Sequence, residues 1–196
     1  MDTGGGYRVT AEKLPELYPT QFHSAEFWEI LGRTVGTFGF LENVLGRAIF
    51  AFTGTRDYSE SELQAALEAW LPQLEKAMSD TLYPLIESYA KAVRQHQHQT
   101  PIDFDDLVAD LKNVAELRNV LCHGFWSPPD ANGATVPFYM RSRDKQVFND
   151  PIDINYLRRV QRSVTALAIA VVDSVTAMGV QFPGSGGPGK PLIESV

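Results

Sequence analysis

The chain has one cysteine, Cys122, in 196 residues. No disulfide can form within it, which fits a reducing compartment. Basic residues are in the minority, with 17 Lys and Arg against 24 Asp and Glu and a formal net charge of −7. That balance argues against broad, sequence-blind binding to nucleic acid, which needs a net cationic face, but it leaves room for a local basic site. No apolar run is long enough to be expected to span a bilayer; the nearest, Ala166 to Val172, is short and lies in an amphipathic pattern. The start, Met1-Asp2-Thr3-Gly4-Gly5-Gly6, lacks the basic and apolar signature of a signal peptide. A cytoplasmic protein with no membrane association is expected. There is no Walker loop, dinucleotide fingerprint, zinc-binding spacing or internal repeat. His96 and His98 lie two apart in a polar linker, the wrong spacing for a metal pair on a helix, and read as solvated. No metal and no cofactor are expected.

What is present is helical periodicity. Residues 1–22 read as an irregular arm, 23–180 as one helical domain and 181–196 as a disordered, Gly- and Pro-rich tail. Ser24 caps a helix running to about Phe52, with Phe27, Leu31, Val35, Phe38, Leu41, Leu45 and Ile49 at helical spacing. Gly32, Gly36 and Gly39 form a smooth strip on it, suited either to tight packing within the monomer or to a dimer seam. Ser59 to Glu62 is a capping box for a helix to about Leu71. A further helix begins near Ser79 or Asp80, bends or breaks near Pro84 and ends near Gln95. Asp103 is the expected cap of the next helix, whose stripe is Leu107, Leu111, Val114, Leu117 and Leu121. Residues 127–151 hold turn signals and a β-rich run, Ala134 to Met140, and suit a short hairpin or an ordered loop with strand character, with Pro137 restricting the first strand to an edge. The last helix spans about Asp153 to Met178, with Leu157, Val160, Val164, Leu167, Val171 and Val175 inward. The fold class is all-α, an antiparallel bundle of four to five helices with a small β-hairpin or loop excursion before the last.

The chemistry concentrates at Arg118-Asn119-Val120-Leu121-Cys122-His123, followed by Gly124-Phe125-Trp126. Asn119 and His123 are four apart and stack on one helix face. Arg118 flanks that face, and Gly124 is expected to supply a left-handed helix end. A guanidinium grips phosphate with a planar fork of donors, and an imidazole moves protons near neutral pH. Structural roles compete with these: Arg118 can pair with a carboxylate, and His123 can complement the helix dipole. Glu42 falls on an apolar helix face, where a carboxylate is costly unless paired, and Arg118 is its obvious partner. Cys122 reads as a small core residue rather than a nucleophile, because neighbours on a helix point about 100° apart.

Six basic residues, Arg141, Arg143, Lys145, Arg158, Arg159 and Arg162, meet only three acids, Asp144, Asp150 and Asp153, between positions 141 and 162. Arg141, Arg143, Lys145, Arg158 and Arg162 are candidates for holding phosphates. Phe125, Trp126, Phe138 and Tyr139 are candidates for stacking on unpaired bases, Trp126 foremost among them, or for core packing.

Arg118, Asn119 and His123, at the end of a long helix in an all-helical chain, resemble the R-N-x3-H signature of the HEPN superfamily (higher eukaryotes and prokaryotes nucleotide-binding). The resemblance covers roughly residues 24–180. It implies a metal-independent endoribonuclease, a homodimer with a composite site, acting on single-stranded RNA through 2′-hydroxyl attack. In that implication Arg118, Asn119 and His123 are catalytic and Glu42 supports Arg118 from behind. A toxin or phage-defence role with an antitoxin or inhibitor protein as partner would suit such a nuclease. The alternative is a catalytically inactive helical dimerisation module that binds a nucleotide or a partner protein.

Overall fold

The computed structural model describes residues 10–54, 81–96, 103–141 and 143–184, together with Ala65, Glu68 and Pro72. The protein is all-α. Four long helices are described: α1 (Ala25–Gly54), α2 (Leu82–Arg94), α3 (Phe104–His123) and α4 (Ile154–Ala177). They form a helical bundle in which α1 packs most extensively on α4 and then on α2, while α3 bridges all three. Ala65, Glu68 and Pro72 are helical and exposed. The capping box at residues 59–62, the Ser79 and Asp80 caps and His98 lie outside the described residues.

The helices form where apolar side chains recur at helical spacing, but their stripes are turned slightly from the expected ones. On α1, Phe27, Leu31, Phe38, Leu41, Leu45 and Ile49 are buried, whereas Val35 is half-buried and Thr34 takes the inward place. The Thr34 hydroxyl is satisfied there by the Ile30 carbonyl at 2.8 Å. On α4, Ala168 replaces the half-buried Leu167 in the stripe. On α3 the core line is Phe104, Val108, Leu111 and Ala115, with Leu107, Val114 and Leu117 at its edge. Each large side chain so buried contributes on the order of 2 kcal/mol.

Helix ends show which local signals hold. The Ser24 hydroxyl accepts from the Phe27 amide at 3.2 Å, and the Asp153 carboxylate accepts from the Tyr156 amide at 2.6 Å. Asp103 stands at the start of α3 but makes no side-chain capping bond, because its backbone has left the extended conformation a cap requires (φ −92°, ψ 17°). Thr81 holds the cap position of α2. Pro84 does not break that helix: it lies in the first turn, where its missing N–H would have had no partner. The tail differs from expectation as well. Phe182 is 1% exposed and Val180 and Met178 join the core, so burial of an aromatic ring orders residues 181–184. His96 is not simply solvated: its ring stands edge-on to Phe52 with centroids 5.2 Å apart.

Between α3 and α4 the chain makes a small antiparallel excursion held by three isolated bridges, Phe125 with Phe138, Met140 with Val147, and Thr135 with Ile152. Inward and outward residues alternate along it. Thr135 and Pro137 are buried and Tyr139 and Arg141 half-buried, while Val136, Phe138 and Met140 are exposed. By length and composition α1 and α4 could each cross a bilayer, with mean hydropathy of 1.2 over 18 residues. The expectation that no segment suffices is therefore too strong; in the bundle the apolar faces of these two helices pack on each other.

A buried polar pair ties α2 to α4. The Ser174 hydroxyl donates to the Val171 carbonyl at 2.7 Å, so the Tyr89 hydroxyl donates to Ser174 Oγ, 2.5 Å away. Burial pushes the Tyr89 phenol up to about 12, the bond to Ser174 opposing it. A raised folded pKa adds stability that is complete below the unfolded value near 10 and is lost as pH rises through the folded value. Urea unfolding of the wild type should therefore lose about 2–3 kcal/mol more between pH 9.5 and pH 12 than that of Tyr89→Phe.

Candidate functional site at the end of α3

The core line of α3 runs through Ala115, so the next turn brings Arg118 toward α1. Glu42 sits on α1 between the buried Phe38, Leu41 and Leu45. The two meet: Arg118 Nη2 lies 3.7 Å from Glu42 Oε1, with 24% and 29% of their side chains exposed. At that separation the contact is an ion pair without a hydrogen bond. Glu42 Oε1 is itself buried and accepts no hydrogen bond. The only other polar contact of Arg118 among the described residues is a long one, Nη1 to Asn119 Oδ1 at 3.5 Å. Most donors of this guanidinium are therefore uncommitted.

The other two motif residues have different surroundings. Asn119 is half-buried and lines a cavity of about 660 Å³ between α3, the hairpin and the start of α4, with Tyr83, Tyr139, Gln146, Phe148 and Tyr156. His123 is exposed at the last position of α3. Cys122 is exposed too, not in the core. The stripe passes through Val120 and Leu121 and leaves the following residue outside.

Gly124 does not take the left-handed conformation expected of it. Its backbone is extended (φ −67°, ψ 141°), and its amide donates to the Val120 carbonyl at 2.8 Å. The reason for glycine is close approach. A Cβ there would lie 2.6 Å from the Val120 oxygen and 2.9 Å from Pro137 Cβ.

The basic cluster is partly spent. Arg141 donates from Nη1 to both oxygens of Glu116 at 2.7 Å, from Nε to Asp144 at 3.0 Å, and to Gln146. The Glu116 carboxylate lifts its pKa above the ordinary value, and Asp144 is held low, first by the Gln146 amide and then by Arg141. Arg141 thus braces the hairpin against α3 and has no fork left for a phosphate. Arg158 is paired with Glu26 at 2.8 Å, tying α4 to the start of α1. Arg143, Lys145 and Arg162 are exposed and make no ion pair among the described residues. These long-range pairings depend on which helices meet, which no local pattern encodes.

Trp126 is also otherwise engaged. It is half-buried against the core, its ring 5.2 Å from Phe27, 6.3 Å from His23 and 6.4 Å from Trp28. His23, stacked on Phe27 at 4.2 Å, contacts the Ser127 carbonyl through Nε2 at 2.9 Å. This cluster anchors the chain after the motif to the start of α1. Sequence reading missed His23, whose only signal was its place just ahead of the Ser24 cap. The expected stacking role of Trp126 is replaced by a structural one.

Among the described residues no group of three or more His, Cys, Asp and Glu side chains could hold a metal ion. No family model matches this chain, and no curated protein or solved structure matches it either.

The glycines test this geometry. Gly124→Ala should cost about 1–3 kcal/mol in urea unfolding, because backbone and a proline ring must move to admit the methyl group. Gly36→Ala, where a Cβ meets nothing within 4 Å among the described residues, should leave the fold of the single chain unchanged by circular dichroism.

Proposed function

We propose that the protein is a metal-independent endoribonuclease of HEPN type that cleaves single-stranded RNA in the cytoplasm. The observation that carries this reading is the solvent-exposed imidazole of His123, one turn beyond Asn119 and on the same helix end as an Arg118 whose donors are mostly uncommitted. The ribose 2′-hydroxyl attacks the adjacent phosphorus, the bond to the 5′-oxygen breaks, and the products are a 2′,3′-cyclic phosphate and a free 5′-hydroxyl. His123 moves a proton in that step. Arg118 stabilises the charge that builds on the phosphate oxygens, and Glu42 holds the guanidinium in place without occupying it. Asn119 orients the imidazole or the phosphate.

The reaction needs one group to take a proton and another to give one. Among the described residues each protomer offers one exposed histidine at this helix end, since His23 is committed to the Ser127 carbonyl. A homodimer with a composite site meets that need. The strip of Gly32, Gly36 and Gly39 supports it: these glycines are exposed, and among the described residues nothing lies within 4 Å of where their Cβ atoms would be. Packing within the monomer therefore does not account for them. A toxin or phage-defence role, restrained by an antitoxin or inhibitor protein, suits such an enzyme. A second reading, an inactive helical dimerisation module binding a nucleotide or partner protein, is favoured by the Glu42 carboxylate facing Arg118 and by the neutralised Arg141 and Arg158.

With EDTA present, the wild type should cut an unstructured RNA to cyclic-phosphate ends, and His123→Ala should be slower by about a hundredfold or more with an unchanged circular dichroism spectrum. Equal rates in the two proteins, or a wild type that EDTA silences, would end the proposal. Sedimentation should give the mass of a dimer.

A further inference from the structure

The excursion after α3 breaks a rule that exposed antiparallel structure normally obeys. One face of such a ribbon packs on the core, and the other, facing water, is polar. Here the inner face carries Thr135, Pro137, Tyr139 and Arg141, and it closes on the bundle and the cavity. The outer face is apolar as well. Val136, Phe138 and Met140 alternate outward at 41%, 62% and 49% exposure, with Phe125 at 67%; Val147, opposite Met140, is 44% exposed and also borders the cavity.

These five side chains belong to one surface. Phe125 and Phe138 exchange both backbone hydrogen bonds, at 3.0 and 2.8 Å, so they stand directly opposite each other with their rings on the same side. Met140 and Val147 pair across the opposite edge of the same segment, and their backbones leave them the closer type of opposition, because the bonds there are made by the flanking residues Arg141 to Gln146 and Phe148 to Tyr139. Val136 and Met140 continue the face on either side of Phe138. An exposed apolar face of this kind marks a binding surface.

We propose that this face is a stacking platform for unpaired nucleobases of single-stranded RNA, with Phe125 and Phe138 each taking a base. Three observations select that occupant. The two most exposed groups are flat aromatic rings, the side chains that stack on bases without regard to sequence. Arg143 and Lys145, both exposed and without ion pairs among the described residues, sit in the turn of the same ribbon and complement a phosphate backbone. Phe125 follows His123 by two residues, so the platform is continuous with the proposed cleavage site. The platform rests on the ribonuclease reading only for the choice of RNA among single-stranded polynucleotides.

The test is binding of a labelled, mixed-sequence 2′-O-methyl oligonucleotide, read by fluorescence anisotropy. That probe lacks the nucleophilic hydroxyl, so binding is measured apart from cleavage. Phe125→Leu and Phe138→Leu keep apolar bulk and lose the ring; each should weaken binding about tenfold. Phe125→Tyr and Phe138→Tyr keep the ring and should bind within about twofold of the wild type. Arg143→Gln with Lys145→Gln should make the salt dependence shallower by about 0.7 per lost phosphate contact. Unchanged binding in the leucine variants, or equal losses with leucine and tyrosine, would overturn the platform. So would a wild type that ignores the oligonucleotide, including one whose sedimentation reveals a self-association that the leucine variants break. If binding follows the rings while EDTA-resistant cleavage is absent, the platform stands and the nuclease reading fails. If cleavage depends on His123 and binding ignores the rings, the reverse holds.

Discussion

The close approach of Gly124 to the Val120 carbonyl and to Pro137 fixes the junction between α3 and the excursion, on which the proposed site depends. A helix that ends there must turn at once into an extended chain, because the Pro137 ring blocks any wider path. The turn leaves His123 as the last helical residue, in water, and delivers Phe125 into register with Phe138. A rigid ring on one side and a backbone oxygen on the other leave room for hydrogen and nothing larger. The junction is therefore set by packing between chain segments thirteen residues apart rather than by a local turn preference, which is why the left-handed end that a glycine after a helix suggests does not form.

Two arginines illustrate how geometry decides what a charge can do. Arg141 and Arg118 both face carboxylates, yet the first is saturated and the second is not. Arg141 makes paired 2.7 Å bonds to Glu116 and further bonds to Asp144 and Gln146, so an incoming phosphate would have to displace a bidentate partner. Arg118 faces Glu42 at 3.7 Å, beyond hydrogen-bond range, and spends one donor weakly on Asn119. The Glu42 carboxylate offsets the cost of half-burying a guanidinium on the core side of α3, and its distance leaves the fork of donors open. A phosphate binding there would exchange water for protein donors rather than break an existing bridge.

The parts legible in the sequence were those governed by local periodicity. Four helices, their inward stripes to within a residue or so and the strand character of the excursion follow from spacing and residue type, and the Ser24 cap from its place ahead of the first stripe. The Glu42–Arg118 pair was legible as well, because a carboxylate on an apolar face demands a partner and the candidates were few. What escaped depended on distant chain. The neutralisation of Arg141 and Arg158 requires Glu116 and Glu26 to arrive from other helices. Trp126 was drawn into a cluster with His23, Phe27 and Trp28 that spans the whole domain in sequence. Phe182 ordered a stretch whose glycines and prolines read as tail, since one buried ring outweighs the composition around it.

The charge balance bears on how such a protein would hold a polynucleotide. At a net charge of −7, long-range attraction works against a phosphate backbone, and among the described residues only a few cations near the α3 end make no ion pair. Counterion release at two or three phosphates gives modest affinity and a shallow salt dependence. Binding energy of useful size must then come from contacts insensitive to salt, and aromatic stacking is the available one, worth roughly 1–3 kcal/mol per base. An outward face carrying Phe125 and Phe138, against the usual preference for polar residues there, is the feature an acidic RNA-binding protein needs. On the proposed reading, unpaired RNA would be preferred over duplex, because a base already stacked in a helix cannot lie on a phenylalanine ring without first leaving its neighbours.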